Sequence, residues 1–150
     1  MLFIVHDEDG KIRQSSKVYD WQKHPGNRRK MDYDKFLAER GERFVMLDKP
    51  RPIRPSKIYV DKGEIAQRPV MPIQCSSTTI GVGEKHAAIF TGVPPGVQCT
   101  VSLPQFGVVD SMRLTGKKRE PISFPVPGRW VVSFDRFPYI PWTIEIEVVA

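Results

Sequence analysis

Val93-Pro94-Pro95-Gly96-Val97-Gln98-Cys99-Thr100-Val101-Ser102-Leu103 and Pro125-Val126-Pro127-Gly128-Arg129-Trp130-Val131-Val132-Ser133-Phe134 follow one pattern. A Pro-Gly turn is followed at once by an apolar, β-branched run. Proline presets φ for the turn and glycine accepts positive φ, so the chain reverses and enters a strand. The pattern marks this half of the chain as a β-sandwich built from short strands.

Working outward, strands are expected at Cys75–Ile80, His86–Phe90, Gln98–Leu103, Val108–Leu114, Pro121–Phe124, Trp130–Phe134 and Thr143–Val149. Turn residues separate them: Gly81-Val82-Gly83, Pro94-Pro95-Gly96, Pro104-Gln105-Phe106-Gly107, Gly116-Lys117-Lys118 and Pro127-Gly128. About seven short strands at this spacing read as an antiparallel sandwich. The alternation Thr143-Ile144-Glu145-Ile146-Glu147-Val148 turns Ile144, Ile146 and Val148 inward and the residues between them outward.

The first half reads differently. Leu2-Phe3-Ile4-Val5 is a strand, His6-Asp7-Glu8-Asp9-Gly10 a turn of the Asp-Gly hairpin type, and Lys11-Ile12-Arg13-Gln14 the return. Asp20 to Lys30 is polar and reads as loop. Asp32 is a candidate N-cap for a short helix that carries Tyr33, Phe36 and Leu37 on one face and stops at Gly41. Arg43–Leu47 is a strand. Pro50, Pro52 and Pro55, spaced by Arg51 and Arg54, hold the next segment extended. A second hairpin pairs Lys57–Val60 with Glu64–Gln67 around Asp61-Lys62-Gly63. The whole is expected to be mainly β: a small N-terminal α+β segment, residues 1–69, then a C-terminal antiparallel sandwich, residues 70–150.

Composition is that of a globular chain, 40% hydrophobic and 27% charged. There is no apolar run near the roughly 18 residues that span a bilayer, so no membrane insertion is expected. The start lacks the basic and long apolar regions of a signal peptide, and synthesis and use from the cytoplasm are expected. Cys75 and Cys99 read as two free thiols. The net charge of +6 falls mostly on the first segment, which would favour anionic partners or be a solvated surface.

Chemistry is sparse. His6, His24 and His86 are far apart with no HxH or HExxH spacing, and the cysteines have no metal-ligand spacing. Gly81-Val82-Gly83 lacks the third glycine and following helix of a phosphate loop. Asp7-Glu8-Asp9 sits in a turn, where carboxylates serve turn geometry. Ser15-Ser16, Ser76-Ser77 and Thr78-Thr79 read as lacking a neighbouring base, and Cys99 with the remote His86 does not make a nucleophile. No catalytic, cofactor or metal residues are assigned, and the chain is read as a non-enzyme. Cations near aromatics, Lys23 to Lys30 beside Trp21 and Tyr33, are a nucleic-acid pattern, but no reader fold accompanies them. The reading is against nucleic acid. Arg51, Arg54 and Tyr59 on the docking segment, and Arg136, Tyr139 and Trp142 in the aromatic loop before the last strand, are the candidate protein-contact residues, since Tyr, Trp and Arg are enriched at interface hot spots.

Several of these pieces together resemble a family of small tail-fibre and tail-tip proteins of tailed bacteriophages. The resemblance is carried by Phe3-Ile4-Val5-His6-Asp7-Glu8-Asp9-Gly10-Lys11-Ile12, by Ala38-Glu39-Arg40-Gly41-Glu42-Arg43-Phe44-Val45, and above all by Tyr59-Val60-Asp61-Lys62-Gly63-Glu64-Ile65 with Arg68-Pro69. The remainder is similar to an immunoglobulin-like module, through Thr78-Thr79-Ile80, Ile89, Gly92-Val93-Pro94-Pro95-Gly96, Pro127-Gly128-Arg129-Trp130 and Phe137-Pro138-Tyr139. Where such modules carry an Ala-Asp-Gly turn, this chain has Gly81-Val82-Gly83-Glu84.

The resemblance implies a virion structural protein, assembled in the host cytoplasm. It would work by contact with other tail proteins (tail tip, baseplate or fibre subunits), in multiple copies within a symmetric assembly, and without catalysis. Two alternatives stand beside it. One is a tail-fibre assembly chaperone not retained in the particle; the other is a host-surface receptor module using Tyr139 and Trp142.

Overall fold

The computed structural model describes residues 1–17, 33–49 and 51–150. The expected loop Asp20–Lys30, the Asp32 cap and Pro50 lie outside the described residues. The fold is mainly β, with one short helix among the described residues, and divides into two compact units, Met1–Arg68 and Pro69–Ala150.

In the first unit the apolar run at the start becomes β1 (Leu2–His6), the central strand of an antiparallel sheet ordered β2-β1-β3, with β2 at Ile12–Lys17 and β3 at Arg43–Leu47. A strand with four consecutive apolar residues must be covered on both faces. Leu2 and Ile4 pack with Ile12 and with Val60 of a separate hairpin, β4 (Ile58–Asp61) and β5 (Glu64–Gln67). Phe3 and Val5 face the other way and pack on Leu37 of helix α1 (Tyr33–Glu39). Phe3 meets Tyr33 edge-on, with ring centroids 5.0 Å apart.

The helix presents the expected face, though Phe36 is on its rim, stacked on Tyr33 and covered by the Arg40 guanidinium. It ends at Gly41 in a Schellman arrangement: the Gly41 N–H donates to the Ala38 carbonyl and the Glu42 N–H to that of Leu37.

The first hairpin corrects an expectation. A two-residue Asp-Gly turn of type I′ needs both residues at positive φ, yet only Gly10 is there, at 86°. The connection is longer, with Asp7 bonding back to Lys11. The Asp7 carboxylate accepts the N–H groups of Asp9 and Lys11, and a bulge sits at Val5/His6. An Asx-type carboxylate competes for the backbone and stretches the loop. The second hairpin is the tight one. Lys62 (φ 49°) and Gly63 (φ 81°) join β4 to β5 in two residues.

The second unit holds two sheets around one core. The larger is ordered β10-β9-β12-β13-β7 and the smaller β11-β8-β6. Their strands are β6 (Gln74–Cys75), β7 (Thr79–Gly81), β8 (Ala87–Thr91), β9 (Gln98–Leu103), β10 (Gly107–Arg113), β11 (Glu120–Ser123), β12 (Gly128–Asp135) and β13 (Trp142–Val149). Inward residues of both sheets meet: Ala88, Phe90 and Ile122 from one, Cys99, Val101, Trp130, Val132, Phe134, Ile146 and Val148 from the other. Phe90 and Phe134 lie 5.1 Å apart across the layer.

The two Pro-Gly turns do enter strands β9 and β12, with Gly96 at φ 78° and Gly128 at φ 147°. The alternation along β13 holds: Ile146 and Val148 are buried, Ile144 half-buried, and Thr143, Glu145 and Glu147 exposed.

The expected single strand Cys75–Ile80 is instead two strands in two sheets. β6 pairs antiparallel with β8, and β7 pairs in parallel with β13. The crossing is made by hydroxyls that take backbone partners away from a continuous ladder. The Ser76 hydroxyl accepts the Ile89 N–H, while the Ser77 hydroxyl accepts the Thr79 N–H and donates to the Thr79 carbonyl.

Candidate assembly surface

The expected contact residues fall into two groups, one in each unit. In the first unit, Arg51 and Arg54 are exposed on the extended segment, and Tyr59 is half-buried on β4. The segment turns after Arg54, whose carbonyl accepts the N–H groups of Lys57 and Ile58, so its extended part ends there. Ile53 tucks against the Leu2–Ile4 cluster, which leaves the flanking arginines outward.

In the second unit, Arg136 is exposed and follows β12 directly. The loop turns tightly, with the Tyr139 N–H donating to the Arg136 carbonyl and the Ile140 N–H to that of Pro69. Trp142 opens β13, half-buried, edge-on to Phe134 at 5.6 Å and to Phe90 at 6.3 Å. Tyr139 also packs against the core. Two of the three aromatic-loop candidates therefore cover the core of the second unit, and Arg136 is the one fully at the surface.

Residues that the sequence did not single out form the more open feature. Among the described residues β10 is an edge strand with β9 as its one neighbour, and β11 is the edge of the smaller sheet with β8 as its one neighbour. Between the two edges lies an open cleft of about 380 Å³, lined by Val101, Val109, Met112, Ile122 and Trp130, with Asp110 and Ser123 as polar lining. On β10 and in the turn before it, Phe106 is 77% exposed, Val108 64% and Val109 49%. The ladder to β9 slips between Val108 and Asp110, so Val109 is the extra residue of a bulge. Bulges concentrate at sheet edges, where they re-aim side chains.

A long unpaired edge with exposed apolar residues is a template for pairing with another chain. The run Phe106-Gly107-Val108-Val109 was the available signal. It gains meaning only once β10 is known to have one neighbour.

The carboxylates here are engaged. The Asp110 carboxylate accepts the Ser111 N–H at 2.8 Å, and the Glu120 carboxylate, on a buried residue, accepts the Lys117 N–H at 3.0 Å. Those two negative charges, together with burial as the larger cause, push the Cys99 thiol up to about 11. Both cysteines are free; the Cys75 thiol donates to the Ser77 carbonyl.

Among the described residues no group of three or more His, Cys, Asp and Glu is arranged to hold a metal ion. In the Gly81-Val82-Gly83 turn the Val82 N–H goes to the Val149 carbonyl and the Gly83 N–H to that of Phe124. Among the described residues no helix is long and apolar enough to cross a membrane.

Compared with known proteins, the chain matches no family model, no curated protein and no solved structure.

Proposed function

We propose that this chain is a structural component of a bacteriophage tail, at the tail tip, baseplate or fibre attachment, acting by protein–protein assembly within the virion. The observation that carries the reading is the β10 edge, unpaired on one side among the described residues, with Val108 and Val109 exposed on it, Phe106 exposed in the turn before it, and an open cleft along it. Such a surface serves a partner chain better than it serves an isolated molecule. The motif resemblance of residues 3–12, 38–45 and 59–69 supplies the tail context.

The second unit is read as an immunoglobulin-like module. The strand order supports this, because the chain crosses from the smaller sheet to the larger one between β6 and β7 and then pairs in parallel with the last strand. The partners would be other tail proteins, with several copies of this chain in a symmetric assembly. A receptor module resting on Tyr139 and Trp142 is less well supported, since both side chains are packed on the core.

Mass spectrometry of purified virions, followed by cryo-EM of the intact particle, tests the proposal. The expected result is the chain in the particle at a fixed copy number, with density at the tail. Presence in the infected-cell lysate but absence from particles would overturn it in favour of an assembly chaperone.

A further inference from the structure

We infer that the β10–β11 cleft receives an extended, acidic segment of a partner protein, added as a further strand on the β10 edge. The inference rests on the assembly reading above and names the chemistry of the partner. Four observations in the second unit converge on it.

First, β10 offers seven residues of backbone, Gly107–Arg113, paired on one side among the described residues. At about 3.4 Å per residue this is a rail of roughly 24 Å, enough to bind a short strand by main-chain hydrogen bonds. Second, the facing edge β11 does not close the gap, and the cleft between them is walled by Val109, Met112, Pro121, Ile122 and Trp130, with Asp110 and Ser123 as its polar lining. An added strand would place alternate apolar side chains against the five apolar residues and keep its carboxylates at the end away from Asp110.

Third, the charge is concentrated at one end. Residues 69–150 contain seven Lys and Arg, and four of them, Arg113, Lys117, Lys118 and Arg119, lie at the end of β10 and in the loop that joins it to β11. That loop joins the two strands that wall the cleft, so the cations stand next to it, outside its lining. All four cations are exposed, and among the described residues none has an ion-pair partner.

Fourth, the two acids that flank these cations in sequence, Asp110 and Glu120, are outnumbered: residues 110–120 hold four Lys and Arg against two carboxylates. This stretch is left net positive. An apolar rail ending in unpaired cations selects an extended segment with alternating apolar residues and carboxylates at the matching end. A second copy pairing β10 antiparallel with β10 would instead set its Gly107 end, which carries no carboxylate, beside the four cations.

The test uses the full chain, labelled with ¹⁵N, and three acetylated heptapeptides. The first alternates Val and Thr and carries two Glu at one end; the second has Lys in place of Glu; the third is the Glu peptide N-methylated on alternate residues. The Glu peptide is expected to shift amides within 107–113 and 120–123. It should bind about tenfold tighter than the Lys peptide and weaken as salt is raised. The N-methylated peptide should lose binding, because the edge hydrogen bonds are blocked.

Charge reversal in K117E/K118E/R119E should invert the Glu/Lys preference, and K118Q/R119Q should level it. These positions are exposed, and amide dispersion reports that each variant is folded. Equal affinity for the Glu and Lys peptides, shifts confined to other strands, or a β10-mediated dimer that excludes the peptides would overturn the inference. The assay needs no virion, so failure here removes the acidic strand and leaves the tail role open. Absence from particles removes the tail role and leaves the cleft's preference intact.

Discussion

Gly10 is the residue on which the first unit closes. The Val60 N–H donates to its carbonyl at 2.9 Å, and a Cβ at this position would overlap the Val60 carbonyl oxygen. Its φ of 86° is also unfavourable for any other residue. Gly10→Ala is therefore expected to destabilise the chain by about 2 kcal/mol or more, read as a lowered urea midpoint.

Cys99 sits at the same scale. It is fully buried, and its thiol is raised to about 11, by burial first and then by Asp110 and Glu120. At pH 8 Cys75 should react with a thiol reagent, and Cys99 only as the chain unfolds. Because the folded state holds its proton after the unfolded state has released it, stability should fall as pH rises from about 9 to 11. Cys99→Ala should remove that part of the alkaline loss, as seen by comparing denaturation midpoints across this range.

Among the elements, the β4–β5 hairpin carries a visible strain. Its two-residue turn holds Lys62 at φ 49°, a region that costs a non-glycine residue about 1 kcal/mol. Asn tolerates it better. Lys62→Asn is expected to stabilise the chain by about 0.5–1 kcal/mol, measured as a rise in melting temperature.

The hairpins also illustrate how far local reading reaches. Both were legible as turns flanked by apolar residues, and Lys62-Gly63 formed the tight one. The Asp9-Gly10 turn opened out because the Asp7 carboxylate bonded two backbone N–H groups that a I′ turn would have arranged differently. The stretch 75–80 looked like one strand because its β-branched residues fit a pleated surface. Ser76 and Ser77 broke it by bonding backbone groups at the crossing. Side-chain oxygens, rather than the apolar pattern, decided both cases.

For the whole molecule, each unit has its own core: Leu2, Ile4, Ile12 and Val60 with Phe3, Val5 and Leu37 in the first, and the two-sheet core in the second. Phe134→Ala removes a fully buried ring from the second core and should cost about 3–5 kcal/mol there. Amide exchange should slow-to-fast across β8, β9, β12 and β13 while protection at Ile4 and Leu37 is retained.

The sequence by itself determined the strand-rich character, most strand positions, the helix with its Gly41 stop and the turns that begin β9 and β12. These depend on residues within a few positions of one another, through φ preferences and alternation. It also pointed to Tyr139 and Trp142 as an aromatic cluster, without telling exposed from packed. Only the tertiary structure decided that Trp142 lies on Phe90 and Phe134, and that Asp110 and Glu120 are held by backbone. It alone decided that β10 and β11 are left as edges with an open cleft between them. Which strand is an edge depends on the order in which distant segments pair, and local chemistry does not encode that order one residue at a time.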